Sequence, residues 1–242
     1  MGFFKRFREA QRPFCTALVA AAGSSTRMGA GVSKLLLPLD GIPVLARTLQ
    51  ALDRASRVDA IVIAAREEDI LPFSELCRTY GIVKPVKIVR GGENREASVL
   101  CAALEADERT KLLAVQDGAR PLVTPALIDA VVDMAARCNA AAPAVPLKDT
   151  VKVVREGTVV ETPDRSALMA VQTPQVFQAD LLKAALQSAL DAGVTLTDDC
   201  SAVERLGKIV YLVEGAEDNL KITTPADMII AAALLQERQD GT

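Results

Sequence analysis

Apolar runs alternate with stretches of helical spacing along almost the whole chain. Residues 16–22 are a short continuous apolar run, which predicts a buried strand, and residues 23–34 follow as a polar, glycine-rich loop. Val44, Leu45, Thr48, Leu49 and Leu52 fall on one face of a helix predicted over 43–56. The same alternation predicts strands at 59–65, 86–89, 112–115 and 140–145, and helices at 68–80, 96–106 and 125–138. Later come strands at 167–171 and 209–213 and helices at 179–192, 199–206 and 226–236. Strands that read as apolar runs, each followed by a helix, predict a doubly wound, mostly parallel α/β sheet covered on both faces.

The pattern breaks at 149–161. Residues 150–154 and 158–161 alternate charged and apolar positions around Arg155, Glu156 and Gly157, and a glycine there can take positive φ, so a β-hairpin is expected. A lone two-stranded ribbon is marginal in water. The hairpin, within an arm at about 147–168, is therefore expected to project and pack on a second copy of the chain. With no internal repeat and no Pro-, Gly- or Ser-rich linker, the chain reads as an extension at 1–14 followed by one domain at 15–242.

Composition narrows the chemistry. The 28 basic and 31 acidic side chains sum to −3, and the chain has two Tyr, six Phe and no Trp. That is neither the electrostatic bias nor the aromatic platform of a nucleic-acid binder. Histidine is absent, which removes Ser-His-Asp and Cys-His nucleophiles, His-built zinc sites and imidazole acid–base catalysis. Catalysis must then rest on carboxylates, Lys, Arg, hydroxyls, thiols, backbone N–H groups or a hard metal ion. No apolar run approaches the roughly 18 residues that span a bilayer. Lys5, Arg6, Arg8 and Arg12 precede a short apolar stretch, a pattern slightly like a signal peptide, but the stretch runs straight into Gly23 and reads as the first strand. Five cysteines, with no CxxC, fit reduced thiols in a cytoplasmic protein.

Ligands of open α/β sheets bind beyond the carboxyl ends of the strands, so the loops there carry the candidates. Gly23, Gly29 and Gly31, with two hydroxyls, Arg27 and Lys34, compose a loop suited to a polyphosphate, although it is neither a Walker A loop nor GxGxxG. Gly91-Gly92-Glu93-Asn94-Arg95 opens the helix that holds Ser98, and suits a base, a ribose or an anion. Asp117 at a strand end suits Mg²⁺, and Arg120 beside it could clamp an anion or simply pair with Asp117. Asp227 is a candidate second carboxylate, and Asp198 and Asp199 read as helix-start residues.

Taken in order, ALVAAAGSSTRMG, SKLLLPLDGIPVL, GGENREASV, QDGARP, PLKDTVK, TPDR, QTPQVF, TDDCSAVE and EGAEDNLKITTPAD resemble the 2-C-methyl-D-erythritol 4-phosphate cytidylyltransferase family of the non-mevalonate isoprenoid pathway. The resemblance runs from about residue 17 to 235. It implies a Rossmann-like, GT-A-like nucleotidyltransferase fold and a homodimer joined through the β-arm. It implies CTP phosphates at Ala21, Ala22, Gly23, Arg27 and Lys34, and cytosine and ribose at Gly92, Glu93, Ser98 and Gly118. It places Mg²⁺ at Asp117 and methylerythritol phosphate at Arg120, Thr173, Thr197 and Lys221. Thr150 and Arg165 would reach the partner's site, and Arg27, Lys34 and Lys221 would be catalytic. The readings weighed against this one are a ribitol-5-phosphate cytidylyltransferase, a pyrophosphorylase using UTP or ATP, and a catalytically silent nucleotide-binding module.

Overall fold

The computed structural model describes residues 12–23 and 33–240. Strand β1 (Phe14–Ala21) is buried along nearly its whole length, and both faces are apolar because helices cover both. A short hairpin of β2 (Pro38–Leu39) and β3 (Ile42–Pro43) leads into α1 (Val44–Arg54). The predicted face of α1 is buried: Val44, Leu45, Thr48, Leu49 and Leu52. Next come β4 (Ala60–Ala65), α2 (Ile70–Thr79), β5 (Val86–Arg90), α3 (Arg95–Leu104), β6 (Thr110–Asp117) and α4 (Pro125–Cys138). Helix α4 starts and stops where its sequence dictates. Thr124 accepts a hydrogen bond from the Leu127 N–H, Pro125 occupies the first turn, and Asn139 closes the helix at φ 69°.

The remaining elements are β7 (Ala140–Pro146), β8 (Val153–Arg155), β9 (Thr158–Glu161), β10 (Met169–Val171), β11 (Gln175–Gln178), α5 (Ala179–Asp191), α6 (Asp199–Arg205), β12 (Tyr211–Glu214) and α7 (Pro225–Asp240). The main sheet has eight strands in the order β10-β7-β11-β6-β1-β4-β5, with β12 on the free side of β7. Six strands run one way. Only β10 and β11 oppose them, so the predicted mostly parallel sheet is the observed one. Its one feature absent from the sequence prediction is β11, inserted antiparallel between β6 and β7.

Two apolar layers flank the sheet. One is built on α1, α2, α4 and α7, with Phe73, Ile128 and Leu235 among its members. The other lies under α3, α5 and α6, around Val99, Phe177, Leu186 and Val203. At the amino end Arg12 pairs with Asp59 through two hydrogen bonds of 2.9 and 2.6 Å. The remainder of the predicted 1–14 extension lies outside the described residues.

The hairpin forms as expected: its second strand spans the predicted 158–161, and its first is shorter than the predicted 150–154 and shifted to 153–155. Glu156 (φ 49°) and Gly157 (φ 77°) make the two-residue turn with positive φ at both positions that suits strand twist. It forms a separate two-stranded sheet, and Val153, Val154, Val159 and Val160 are all exposed on it. Among the described residues no helix is long and apolar enough to cross a membrane.

Candidate active site

Three chain segments meet at the carboxyl ends of β1, β5 and β6. After β1 the chain passes through Ala22 to Gly23, and it returns at Ser33 into a short 3₁₀ turn, Lys34–Leu36. Arg27 lies outside the described residues. The Lys34 ammonium donates to the Ile222 carbonyl at 2.9 Å.

After β5, the Gly91-Gly92 pair turns the chain into α3. Asn94 caps the helix by accepting from the Ala97 N–H at 2.8 Å. The Ser98 hydroxyl donates to the Asn94 carbonyl at 2.7 Å and accepts from the Gly92 N–H at 3.1 Å. The glycines are there because side chains do not fit. A Cβ on Gly91 would stand 2.6 Å from the Ala22 Cβ and 2.8 Å from the Ser98 Oγ, and one on Gly92 would stand 2.4 Å from the Ala97 Cβ. This turn and the end of β1 are therefore in direct contact. Gly91→Ala should force them apart, raising the KM for nucleotide and costing about 1–3 kcal/mol as overpacking. Kinetics with thermal unfolding check this, and an unchanged KM and Tm would show that the contact is slack.

After β6, Asp117 is nearly buried. Its Oδ2 pairs with the Lys221 Nζ at 3.0 Å and the Arg120 Nε at 3.3 Å. Burial alone would push this carboxyl up, but Lys221 and Arg120 outweigh it and hold the group below its ordinary value. The same burial lowers the Arg120 guanidinium despite Asp117. The local Asp–Arg pair weighed from the sequence is thus present, and Lys221 joins it. The Thr173 hydroxyl accepts from the Asp117 N–H at 3.1 Å. Gly118 donates its N–H to the Ala20 carbonyl at 3.2 Å, and a Cβ there would lie 3.3 Å from that oxygen. The Ile222 N–H donates to the Ala119 carbonyl at 2.8 Å, which lays the Lys221 segment against the end of β6.

A cleft of about 460 Å³ lies among these segments, lined by Ala21, Ala22, Gly23, Lys34, Gly92, Glu93, Ser98, Asp117, Gly118 and Lys221. Every one of these was singled out in the sequence. Arg120 and Thr173 adjoin it through Asp117. Thr197, Thr150 and Arg165 are exposed and do not line it, and Arg165 donates instead to the Lys148 carbonyl. Asp227 does not join the cleft either. Its Oδ2 accepts from the Thr223 N–H, the Thr223 hydroxyl and the Thr224 N–H at 2.7–2.8 Å, ahead of α7.

Asn94 and Arg95, part of the 91–95 segment expected to suit a base, a ribose or an anion, also line the cleft. Ala20, Leu35, Ala119 and Thr223 line it too without having been given a role, their only signal being position next to the residues that were. Asp198 does start α6, accepting from the Ser201 N–H at 3.0 Å. Asp199 is the first residue of α6, as expected, and is also fully buried and paired with Arg95. A larger hollow of about 620 Å³ opens at the other end of the strands, between Asn139, Gln178 and Tyr211. Among the described residues Lys208 is its only charged lining residue and none of the expected site residues reach it, so the smaller cleft is the chemical one.

Residues 15–237 match the sequence profile of 2-C-methyl-D-erythritol 4-phosphate cytidylyltransferase. A protein of that name from Bacillus cereus is 44% identical over 220 residues, covering 91% of this chain and 97% of its own. One from Synechococcus elongatus is 42% identical, covering 92% and 96%. Among solved structures, the 4-diphosphocytidyl-2C-methyl-D-erythritol synthase from Anaerococcus prevotii superposes with a TM-score of 0.83 at 29% identity, covering 93% of this chain and 99% of its own. The Thermus thermophilus cytidylyltransferase gives 0.74 at 30% identity, covering 92% and 99%. The sequence match runs through all three segments that build the cleft, and the chain belongs to the 2-C-methyl-D-erythritol 4-phosphate cytidylyltransferase family.

Proposed function

We propose that this cleft transfers the cytidylyl group of CTP to 2-C-methyl-D-erythritol 4-phosphate, with the residue roles that follow. The observation that carries the reading is Asp117, held between Lys221 and Arg120 at the mouth of a cleft walled by Gly23, Gly92 and Gly118. The triphosphate lies against Ala21, Ala22 and Gly23, with Arg27 and Lys34 as its cations. Cytosine and ribose lie against Gly92, Glu93, Ser98 and Gly118. The acceptor lies toward Arg120, Thr173, Thr197 and Lys221.

The acceptor phosphate needs no general base, because a monoester with a second pKa of about 6 is largely ionised at neutral pH. Its oxygen attacks the α-phosphorus of CTP in line. The bond to the bridging oxygen breaks, and pyrophosphate leaves with that electron pair. Catalysis is then positioning and charge stabilisation, which a chain without histidine can supply. Lys34, Arg27 and Lys221 offset the charge that builds on the phosphates.

A Mg²⁺ ion fits the donor set. Among the described residues no group of three or more acidic or cysteine side chains forms a protein cage. Asp117 is a single carboxylate at the cleft, and Mg²⁺ commonly takes one or two carboxylates plus substrate phosphates and water. Asp117 would hold it, and when bound the ion neutralises phosphate charge.

The exposed valines of the β8–β9 arm support a homodimer in which Thr150 and Arg165 serve the partner's cleft. The unpaired thiols fit a cytoplasmic protein, acting on small molecules rather than on nucleic acid or a membrane. If the arm does cross, Arg165→Ala and Lys34→Ala dimers should each be slow and their mixture should recover turnover. A mixture as slow as its parts would refute the shared site. The function itself is tested by pyrophosphate release with CTP, Mg²⁺ and methylerythritol phosphate, with ribitol 5-phosphate run in parallel. Release with the first acceptor alone is expected. Release only with ribitol phosphate would overturn the acceptor, and bound CTP without release would leave a silent binding module.

A further inference from the structure

Two consecutive residues at the start of α3 hold a turn that belongs to the other half of the site. The Arg95 guanidinium donates to both oxygens of Asp199, at 2.8 and 2.6 Å, across 104 residues of sequence. Glu96, itself buried, accepts from the Leu196 N–H. The chain is therefore gripped on either side of Thr197. From below, the Gln175 amide oxygen accepts the Asp199 and Cys200 N–H groups at 2.9 and 3.0 Å, while its nitrogen donates to Asp198 at 2.9 Å. Gln175 stands two residues past Thr173, whose hydroxyl accepts from the Asp117 N–H. The Arg95 side chain remains partly open to the cleft, beside Gly92 and Asn94, whereas Asp199 has no exposure.

From this geometry we infer that Arg95 and Asp199 are a positioning pair that couples the nucleotide half of the site to the acceptor half. Resting on the assignment of the acceptor to Thr173 and Thr197, the inference specifies how that subsite is set. Nucleotide that orders the Gly91–Ser98 turn fixes the direction of the Arg95 guanidinium. A bidentate fork of this kind transmits orientation, because turning it breaks two charge-assisted bonds at once. Asp199, and with it the Thr197 turn, must follow. Stability alone does not call for an ion pair here, since well-packed apolar residues commonly replace a buried pair at no loss. What the apolar replacement could not do is carry an orientation from a cleft-lining group to Thr197. Binding of one substrate then tightens the other by the same factor, a coupling typically of about 5–150-fold.

The test measures methylerythritol phosphate affinity by calorimetry with and without a non-hydrolysable CTP analogue, alongside steady-state kinetics. Wild-type turnover and acceptor binding test the underlying assignment, while the ratio of the two affinities tests the pair. In the Arg95→Met/Asp199→Leu double variant the expected results are a folded protein, a KM for acceptor raised about tenfold or more, and a coupling factor that falls toward one. Arg95→Lys, which keeps the charge and loses the fork, should give the same direction and carries the test if the double variant fails to fold. Wild-type coupling in either folded variant would overturn the inference. So would an effect confined to the KM for CTP, which would make Arg95 a nucleotide contact only.

Discussion

Lys34→Ala should lower kcat at saturating CTP by about 10²–10³, equivalent to roughly 2.7–4 kcal/mol of lost transition-state stabilisation. The figure follows from where the ammonium stands. It lines the cleft with Gly23 and Lys221, on a turn whose next residue, Leu35, is buried, so its stem is anchored and its charge is aimed. The acceptor phosphate brings its own negative charge to an already anionic triphosphate. Charge on the phosphates therefore rises as the new bond forms, and a fixed cation is worth more in the transition state than in the ground state. The loss should fall on kcat more than on the KM for CTP, because many backbone and side-chain contacts remain to bind nucleotide. Lys34→Arg should restore little, since a planar fork cannot replace a compact ammonium at the end of a short turn. Unfolding temperature should fall modestly, because the variant also loses the hydrogen bond to the buried Ile222 carbonyl. A Lys34→Ala enzyme with full kcat would mean that the chemistry does not occur in this cleft.

Asp117→Asn should cost at least a comparable factor in rate and should cost more stability than Lys34→Ala. The carboxylate faces two cations, and of these Arg120 is nearly as buried as Asp117 while Lys221 is 42% exposed. Lys221 can turn to water, whereas Arg120 cannot, so most of the loss comes from the Arg120 side. Breaking a buried pair costs about 3–5 kcal/mol, and the exposure of Lys221 places this case near 3 kcal/mol. Denaturant unfolding of the two proteins measures it. The pH dependence follows from the direction of the shift. The folded-state carboxyl lies below the ordinary value of about 3.9, so its contribution is complete above that value. It is lost as pH falls through the lower folded-state value. Wild type should lose stability more steeply than Asp117→Asn below about pH 4, and the two acid-unfolding curves should converge. Parallel curves would mean that the pair carries no net ionic stabilisation.

The parallel strands were legible because a strand buried on both faces must be apolar throughout, as β1 and β4 are. The cleft was legible because glycines, Lys34 and Asp117 cluster at the ends of those strands. Three features were not. Strand β11 is four residues long, with glutamine at either end, and carries neither period. Gln175 faces the Asp198–Cys200 turn rather than water, so a polar letter marks a buried site. The Arg95–Asp199 pair joins residues 104 apart, and each alone reads as an ordinary helix-start charge. The hydroxyls of Ser98 and Thr173, singled out as ligand contacts, also hold backbone groups of the site itself.

The insertion of β11 also sets an order of assembly. Strands β6 and β7 do not pair with each other. They are bridged by a strand made after both, and β7 in turn carries β10 and β12. As the chain leaves the ribosome, β1, β4, β5 and β6 can pair with one another at once. The wing built on β7 must wait until residues 175–178 have emerged. Until then the edge of β6 is open, with Leu113 and Val115, fully buried in the finished protein, at that boundary. The nascent chain therefore passes through an interval with one half of the main sheet formed and an unprotected sheet edge. That interval is where a chaperone or an aggregating neighbour would find it.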